Sequence, residues 1–409
     1  MNLILINQYY PPDVAPTGLM LESVAEELAA LGHHVTILCS RGGYGGQKGE
    51  AASARAATDG VEVVHCWSTA YGRRGFLGKI ADYASFYLGV AWGLCTARHR
   101  PDRVVALTTP PYLSVLARVF SKFLGADHAH WVMDLYPDVM AAHGLLDPRS
   151  LPYRMLSRLA RFGFGGSRCA EVITLGPDMA ELTGRYTPDD VALPWIPLWG
   201  TESVAESDAD AEEHARALRL KRGWSEDETI VMYSGNMGLG HRFGEILSAA
   251  AEFRRGSGIR FVFFGEGKRR KEIEEFIARH PEAPIELHGY VPRDELAGHL
   301  RSANAQLASL EPAWDGTMVP SKLQGIFAAG RPVIFIGSHA SSIGTWVRES
   351  GGGWVVEPGD LQAMKAALEH AMDPGECEFR GAFAKAFSAH HFDKRRNSRE
   401  VARLLARPH

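Results

Sequence analysis

Short apolar runs alternate with helix-like segments from the first residues onward. Leu3-Ile4-Leu5-Ile6 is followed by a loop rich in proline and ending in glycine. Leu21, Val24, Ala25 and Leu28 then recur at helical spacing within a segment from about Thr17 to Leu31, and Val35 to Cys39 returns to a strand-like run. A strand, helix, strand order repeated in this way predicts a parallel sheet covered by helices. Further strands are expected at Val61–His65, Val104–Leu107, His130–Met133 and Glu171–Thr174. A second series is expected at Ile230–Tyr233, Ile259–Phe264, Ile285–Leu287, Ala305–Leu310, Val333–Ile336 and Trp354–Val356.

The fold class this pattern predicts is α/β, with two doubly wound Rossmann-like domains facing across a cleft. In such sheets ligands bind outside the carboxyl ends of the strands. The expected division is an N-terminal domain over 1–200, a linker over 201–222, a second domain over 223–378 and a closing helical segment over 379–409. Thr201–Glu213, acidic and rich in serine and alanine, marks the linker. The closing segment is strongly basic at Lys394-Arg395-Arg396 and is expected to pack back toward the N-terminal domain.

Composition narrows the function classes. The chain is 45% apolar and 22% charged, as globular enzymes are. A net charge of −4 gives no reason to expect nucleic acid as a partner. Five cysteines, widely spaced and without a Cys-x-x-Cys pair, argue against a disulfide framework or a zinc site and suit a reducing cytosol. Met1 leads straight into an apolar strand without a basic leader, so a cytoplasmic protein is expected. The longest uncharged run, Tyr83–Ala97, has 15 residues, short of the roughly 20 that cross a bilayer.

Chemistry concentrates in a few turns. Pro320-Ser321-Lys322-Leu323 opens a short helix that closes through Ala328-Ala329-Gly330 onto a strand, and Ser321 and Lys322 there suit a phosphate or diphosphate. The turn after Tyr233 holds Gly235, Gly238 and Gly240 beside Asn236, His241 and Arg242, but it departs from the Gly-x-Gly-x-x-Gly dinucleotide spacing. Gly18 either brings backbone close to a ligand or permits a tight turn. Asp134 and His130 sit at a strand end. Asp134 either accepts a proton from, or orients, a bound hydroxyl, or caps the turn at Tyr136-Pro137, and His130 is equally suited to a hydrogen-bonded core position. Trp314 beside Glu311 and Asp315 suits a sugar or anchors a loop. Between residues 66 and 130, eight cations face three anions, interleaved with Phe76, Tyr83, Phe86, Tyr87 and Trp92. Residues 73–100 therefore offer a peripheral membrane contact, with a core helix as the alternative.

The order of these turns resembles the GT-B glycosyltransferases of family 4 over nearly the whole chain. The resemblance rests on Tyr10-Pro11-Pro12 with Gly18, Leu31-Gly32-His33-His34-Val35, the Gly235 loop and Phe264-Gly265-Glu266-Gly267. It continues through His288-Gly289-Tyr290-Val291, Ala328-Ala329-Gly330-x-Pro332-Val333-Ile334 and Glu357-Pro358-Gly359-Asp360. Asp134-Leu135-Tyr136-Pro137 and Pro320-Ser321-Lys322-Leu323 are most similar to bacterial enzymes of O-antigen, capsule or exopolysaccharide synthesis.

That resemblance implies retaining transfer of a sugar from a nucleotide diphosphate, with UDP the commonest carrier, to a hydroxyl of a glycan or lipid-linked acceptor. It implies a first domain that binds acceptor and a second that binds donor. Gly18, Asn236, His241, Ser321 and Lys322 would surround the diphosphate, with Arg242 in reserve. Gly265, Glu266, Gly289, Tyr290 and Val291 would meet the nucleoside, and Glu311, Trp314, Asp315 and Thr317 the donor sugar. No metal or other cofactor is expected, there being no Asp-x-Asp run. The chain departs from the family where two glutamates are usual. Thr317 and Gly325 occupy those positions, the second being where the donor ribose is commonly held. A nucleotide-sugar epimerase on the same fold and a catalytically inactive nucleotide-sugar-binding partner are the alternatives.

Overall fold

The computed structural model describes residues 1–13, 15–41, 60–71, 75–200, 208–292 and 295–408. The chain divides into two compact units, Met1–Leu198 with Gly316–Met318 and Lys394–His409, and Trp199–Asp315 with Val319–Asp393.

In the first unit six parallel strands are ordered β3-β2-β1-β4-β5-β6: β1 Asn2–Ile6, β2 His34–Ser40, β3 Val61–Cys66, β4 Arg103–Ala106, β5 Asp127–Trp131 and β6 Cys169–Ile173. Its helices are α1 Pro16–Ala30, α2 Phe76–Cys95, α3 Leu113–Leu124, α4 Asp138–Ala142, α5 Leu151–Phe164 and α6 Pro177–Thr183. Leu3, Ile4, Leu5 and Ile6 are all buried, as a central strand covered on both faces requires. The strand expected at His130–Met133 starts three residues earlier and ends two earlier, at Asp127–Trp131. Its polar residues hid it: His128 and His130 are buried in the sheet, where apolar side chains were expected.

In the second unit the order is β12-β11-β10-β7-β8-β9. The strands are β7 Thr229–Ser234, β8 Ile259–Phe264, β9 Ile285–His288, β10 Ala305–Ser309, β11 Val333–Ile336 and β12 Gly353–Val356. Its helices are α7 Asp208–Lys221, α8 Gly244–Ala250, α9 Arg270–Arg279, α10 Leu296–Arg301, α11 Lys322–Ala328, α12 Ser342–Ser350, α13 Leu361–Ala371 and α14 Pro374–His391. Val231, Tyr233, Phe261, Phe263, Leu307 and Ile334 build one core with α8 and α13.

Much of the expected linker is helix. Residues 201–207 lie outside the described residues, but from Asp208 the chain forms α7, which buries Ala211, Ala215 and Leu218 against α10. Alanines on the buried face made that helix look weakly apolar in the sequence. The closing segment is two helices with different attachments. α14 packs on α11 in the second unit, whereas α15, Lys394–Ala406, packs on α1 in the first. Arg399 pairs with Glu27 at 3.0 Å, and the buried Arg103 donates to the Leu405 carbonyl at 2.7 Å.

Candidate active site

The carboxyl edge of the second sheet carries the turns that follow β7, β8, β9 and β10. Lys322, the first residue of α11, extends from the loop after β10 to the turn after β7. Its Nζ donates to the Tyr233 hydroxyl at 2.5 Å, to His241 Nε2 at 2.9 Å and to the Asn236 carbonyl at 3.1 Å. It also lies 4.3 Å from the centre of the Tyr233 ring. Gly235, at φ 130°, leaves room for this approach, since a Cβ there would stand 2.7 Å from Lys322 Cε.

His241 is a support for that lysine, not a second cation. Its Nδ1 is 2.7 Å from the Ser309 carbonyl, to which it donates, leaving Nε2 to accept from Lys322. Burial, and then the neighbouring Lys322 charge, lower its pKa to about 3, so the ring is neutral at physiological pH. Lys322 is lowered by burial from 10.5 to about 7.

Two arginines along this edge are paired with carboxylates. Arg242 donates to Glu245 and, at 2.7 Å, to Glu311, while Arg269 donates to Glu311 at 3.0 Å and to Glu272 at 2.8 Å. Arg242, held in reserve for the diphosphate, is thus braced by two glutamates. Glu311, expected to meet the donor sugar, braces both arginines. Trp314 is buried, and its indole lies where a Cβ on Gly240 would approach to 3.0 Å, so it anchors the loop. Asp315 follows it at the end of that short turn, Pro312–Trp314. Ser321 is exposed, and its hydroxyl makes no cap for α11. Gly325 is buried within α11, so that position presents no side chain to a ribose.

The two turns expected to meet the nucleoside are adjacent. The Gly265 N–H donates to the His288 carbonyl at 3.1 Å, and Arg270 donates to the carbonyls of Gly265 and His288 at 2.7 and 2.9 Å. The Tyr290 hydroxyl donates to the Glu266 carbonyl at 3.4 Å, with the tyrosine itself 62% exposed. A Cβ on Gly289 would meet only Glu266 Oε1, at 3.8 Å, and Val291 is half-buried beside the core at Trp224 and Ile230. Gly265, at φ 132°, presses on the preceding turn so closely that a Cβ would lie 2.0 Å from the Gly235 carbonyl oxygen. Gly265→Ala is expected to lower stability by roughly 2–4 kcal/mol, from a strained backbone and a collision with main chain. Gly289→Ala, with 3.8 Å to its nearest neighbour, should leave the melting temperature unchanged, and thermal denaturation of both variants checks this.

The first unit holds the remaining candidates. Asp134 follows β5 and shares a small hollow with Thr108, Tyr112, His130, Tyr136, Ala160 and Phe164. Its backbone N–H donates to Thr108 Oγ1 at 3.1 Å. Its carboxylate accepts no hydrogen bond among the described residues, and burial raises its pKa from 3.8 to about 6. It caps no turn. His130 is wholly buried, its ring 5.2 Å from that of His128 and 5.3 Å from that of Phe164, and burial holds it well below the ordinary histidine range. That makes it a neutral core residue behind Asp134. Tyr112 has its backbone at φ 66°, a strained position for a tyrosine, and its buried hydroxyl has no partner among the described residues. Gly18 lies in α1 with the Tyr9 and Tyr10 backbone just over 3 Å from where a Cβ would stand. The buried Thr317 offers its carbonyl to the Leu135 N–H at 2.8 Å.

The residues missed from sequence are Tyr233, Ser309 and Tyr112. Each sits at the end of a strand or before a helix, and Tyr233 was absorbed into the β7 pattern. A buried tyrosine whose hydroxyl needs a partner was the available signal.

Two doubly wound, six-stranded parallel units of this kind define the GT-B class. Residues 17–199 match the glycosyl transferase 4-like domain and residues 228–373 the glycosyl transferases group 1. Together these matches take in most of the chain, which belongs to these glycosyltransferases and is an enzyme of that kind. It is 26% identical over 276 residues to the probable glycosyltransferase WbjE of Pseudomonas aeruginosa, covering 68% of this chain and 67% of that one. It is 22% identical over 383 residues to the putative colanic acid biosynthesis glycosyl transferase WcaI of Escherichia coli, covering 91% and 92%. Similar folds include WaaG, a glycosyltransferase involved in lipopolysaccharide biosynthesis, at TM-score 0.69, 15% identity and full coverage of both chains. Anabaena HepE in complex with UDP has TM-score 0.69 and 13% identity over 99% of this chain and 100% of that one.

Proposed function

We propose that this glycosyltransferase takes its sugar from a nucleoside diphosphate of the uridine type. The sugar goes, with retained configuration, to a hydroxyl of a glycan or lipid-linked acceptor in cell-surface polysaccharide synthesis. The observation that carries the donor half is Lys322. It is a desolvated ammonium held by a phenol, a carbonyl and a neutral imidazole, with no carboxylate as ion-pair partner among the described residues, while its neighbours Arg242 and Arg269 are neutralised. An anion completes it. As the bond to the sugar breaks, negative charge grows on the departing diphosphate, and a cation already fixed there stabilises that charge without reorganising. WcaI, named for colanic acid biosynthesis, supports the pathway class, and the UDP-bound HepE supports the donor.

On the acceptor side, the Asp134 carboxyl and the unpartnered Tyr112 hydroxyl share one hollow, a pair able to orient an incoming hydroxyl and receive its proton. Glycosyl transfer so described needs no further group, and the proposed route uses none.

The donor half is tested by the pH dependence of UDP binding. A bound diphosphate favours charged Lys322 and raises its pKa above the value of about 7 that burial imposes. Between these two values, binding takes up a proton. Affinity should fall by up to about tenfold per pH unit between about pH 7 and pH 9, with proton uptake measurable by calorimetry in buffers of different ionisation enthalpy. A flat profile, or no UDP binding at millimolar concentration, would count against the donor site. Incubation with a UDP-sugar and no acceptor tests the reaction class, since net conversion to an epimer would overturn transfer.

A further inference from the structure

A lipid-linked acceptor requires a surface that meets the membrane, and the charge pattern of α5 identifies one. From Pro148 to Ala170 the chain carries Arg149, Arg154, Arg158, Arg161 and Arg168 and no acidic residue. The helix buries Ala160, Gly163 and Phe164 against the first unit, so close to α3 that a Cβ on Gly163 would stand 2.3 Å from Ser114 Oγ. Its outer face is apolar. Leu151, Met155, Leu159 and Phe162 recur at steps of four, four and three residues, one stripe on a helix, and are 65%, 59%, 38% and 43% exposed. Arg154, Arg158 and Arg161 run beside that stripe at the same spacing and are exposed, and Arg118 of α3 lies 4.1 Å above the Phe162 ring.

An apolar stripe bordered by cations is the form of a helix lying in a bilayer surface. The large side chains enter the acyl boundary, and long arginine stems let the guanidinium groups reach the phosphates. A second copy of the chain does not suit this face, because it would set arginine against arginine. The stretch first expected to meet the membrane, 73–100, is less well equipped. α2 exposes Leu77, Ile80, Leu88 and Trp92, yet Lys79 is the sole cation on the helix itself, Arg98 and Arg100 lie beyond its C-terminal end, and the carboxylate of Asp82 turns inward to Thr69 and Tyr71. Arg73 and Arg74 lie outside the described residues.

We propose that α5 docks the enzyme on an anionic bilayer. Because Ala160 and Phe164 on its inner face line the hollow that holds Asp134, the same helix has lipid on one side and the acceptor carboxyl behind it. As the place where a lipid-linked acceptor is met, this rests on the function proposed above; the docking itself does not.

The test is co-sedimentation of the full chain with phosphatidylcholine vesicles made with or without phosphatidylglycerol. Binding is expected only with phosphatidylglycerol. Arg154→Gln with Arg158→Gln should weaken it about 25-fold, at roughly fivefold per arginine. Met155→Ser with Leu159→Ser should weaken it by at least about tenfold, and Leu88→Ser with Trp92→Ser should leave it unchanged. An unaltered UDP-induced thermal shift in each variant shows that it is folded. The proposal is overturned if the wild type ignores phosphatidylglycerol, if both α5 variants bind like the wild type, or if the α2 variant alone releases the protein. Vesicle binding without any UDP binding would instead sink the donor reading and leave the docking intact.

Discussion

Lys322→Met is expected to lower kcat/KM for sugar transfer by about 10²- to 10³-fold, the loss that follows removal of one fixed donor to a developing negative charge. It should also abolish the UDP-induced thermal shift. The side chain fits among Tyr233, Asn236 and His241, so the substitution keeps the packing and removes the charge. Lys322→Arg should not restore activity. The broader guanidinium must occupy a space where Gly235 has already given up its Cβ. Stability should move the other way. Burial lowers the folded-state pKa of Lys322 from 10.5 to about 7, so between these values the unfolded chain holds more protons and the wild type gains stability as pH rises. Methionine has no proton to lose. The variant should therefore melt at or above the wild-type temperature at pH 7 and lack that rise with pH. Transfer at the wild-type rate by Lys322→Met would remove the diphosphate role from this residue.

The alternation of apolar runs made both sheets legible because each central strand is buried on two faces and reads as continuous hydrophobic sequence. β8 and β11 lie where the pattern put them, to the residue. The pattern failed where burial was achieved without large apolar side chains. His128 and His130 concealed the start of β5, and Ala211 and Ala215 concealed α7. The site was legible at Lys322 and in the glycine turns, whose backbone demands leave a mark in the sequence. What could not be read was pairing. Nothing in the order of residues shows that Glu311 spans Arg242 and Arg269, or that His241 turns one nitrogen to Ser309 and the other to Lys322. Those contacts join positions tens of residues apart, and they decide which cation is left for a ligand.

Asp134→Asn should lower kcat by about 10²- to 10⁴-fold, the range for loss of a positioned acid–base group. In the wild type, kcat/KM should fall below about pH 6, where the carboxyl takes up a proton, and the asparagine variant should lack that limb. Stability again separates a functional carboxyl from a structural one. A turn-capping aspartate is stabilised in its charged form, and its loss costs melting temperature. Asp134 has the opposite character, because burial without a hydrogen-bond partner among the described residues raises its pKa from 3.8 to about 6. The folded protein then holds more protons than the unfolded chain between these values, so stability falls as pH rises through the window and the cost is fully present at pH 7. Asparagine carries no charge to desolvate, and Asp134→Asn should melt at a higher temperature than the wild type at pH 7 while losing activity. A lower melting temperature with unchanged kcat would return Asp134 to a structural role. Lys322 and Asp134 thus make one joint argument: each is a desolvated charge without a counter-charge among the described residues, a cost to folding that a bound substrate group would offset.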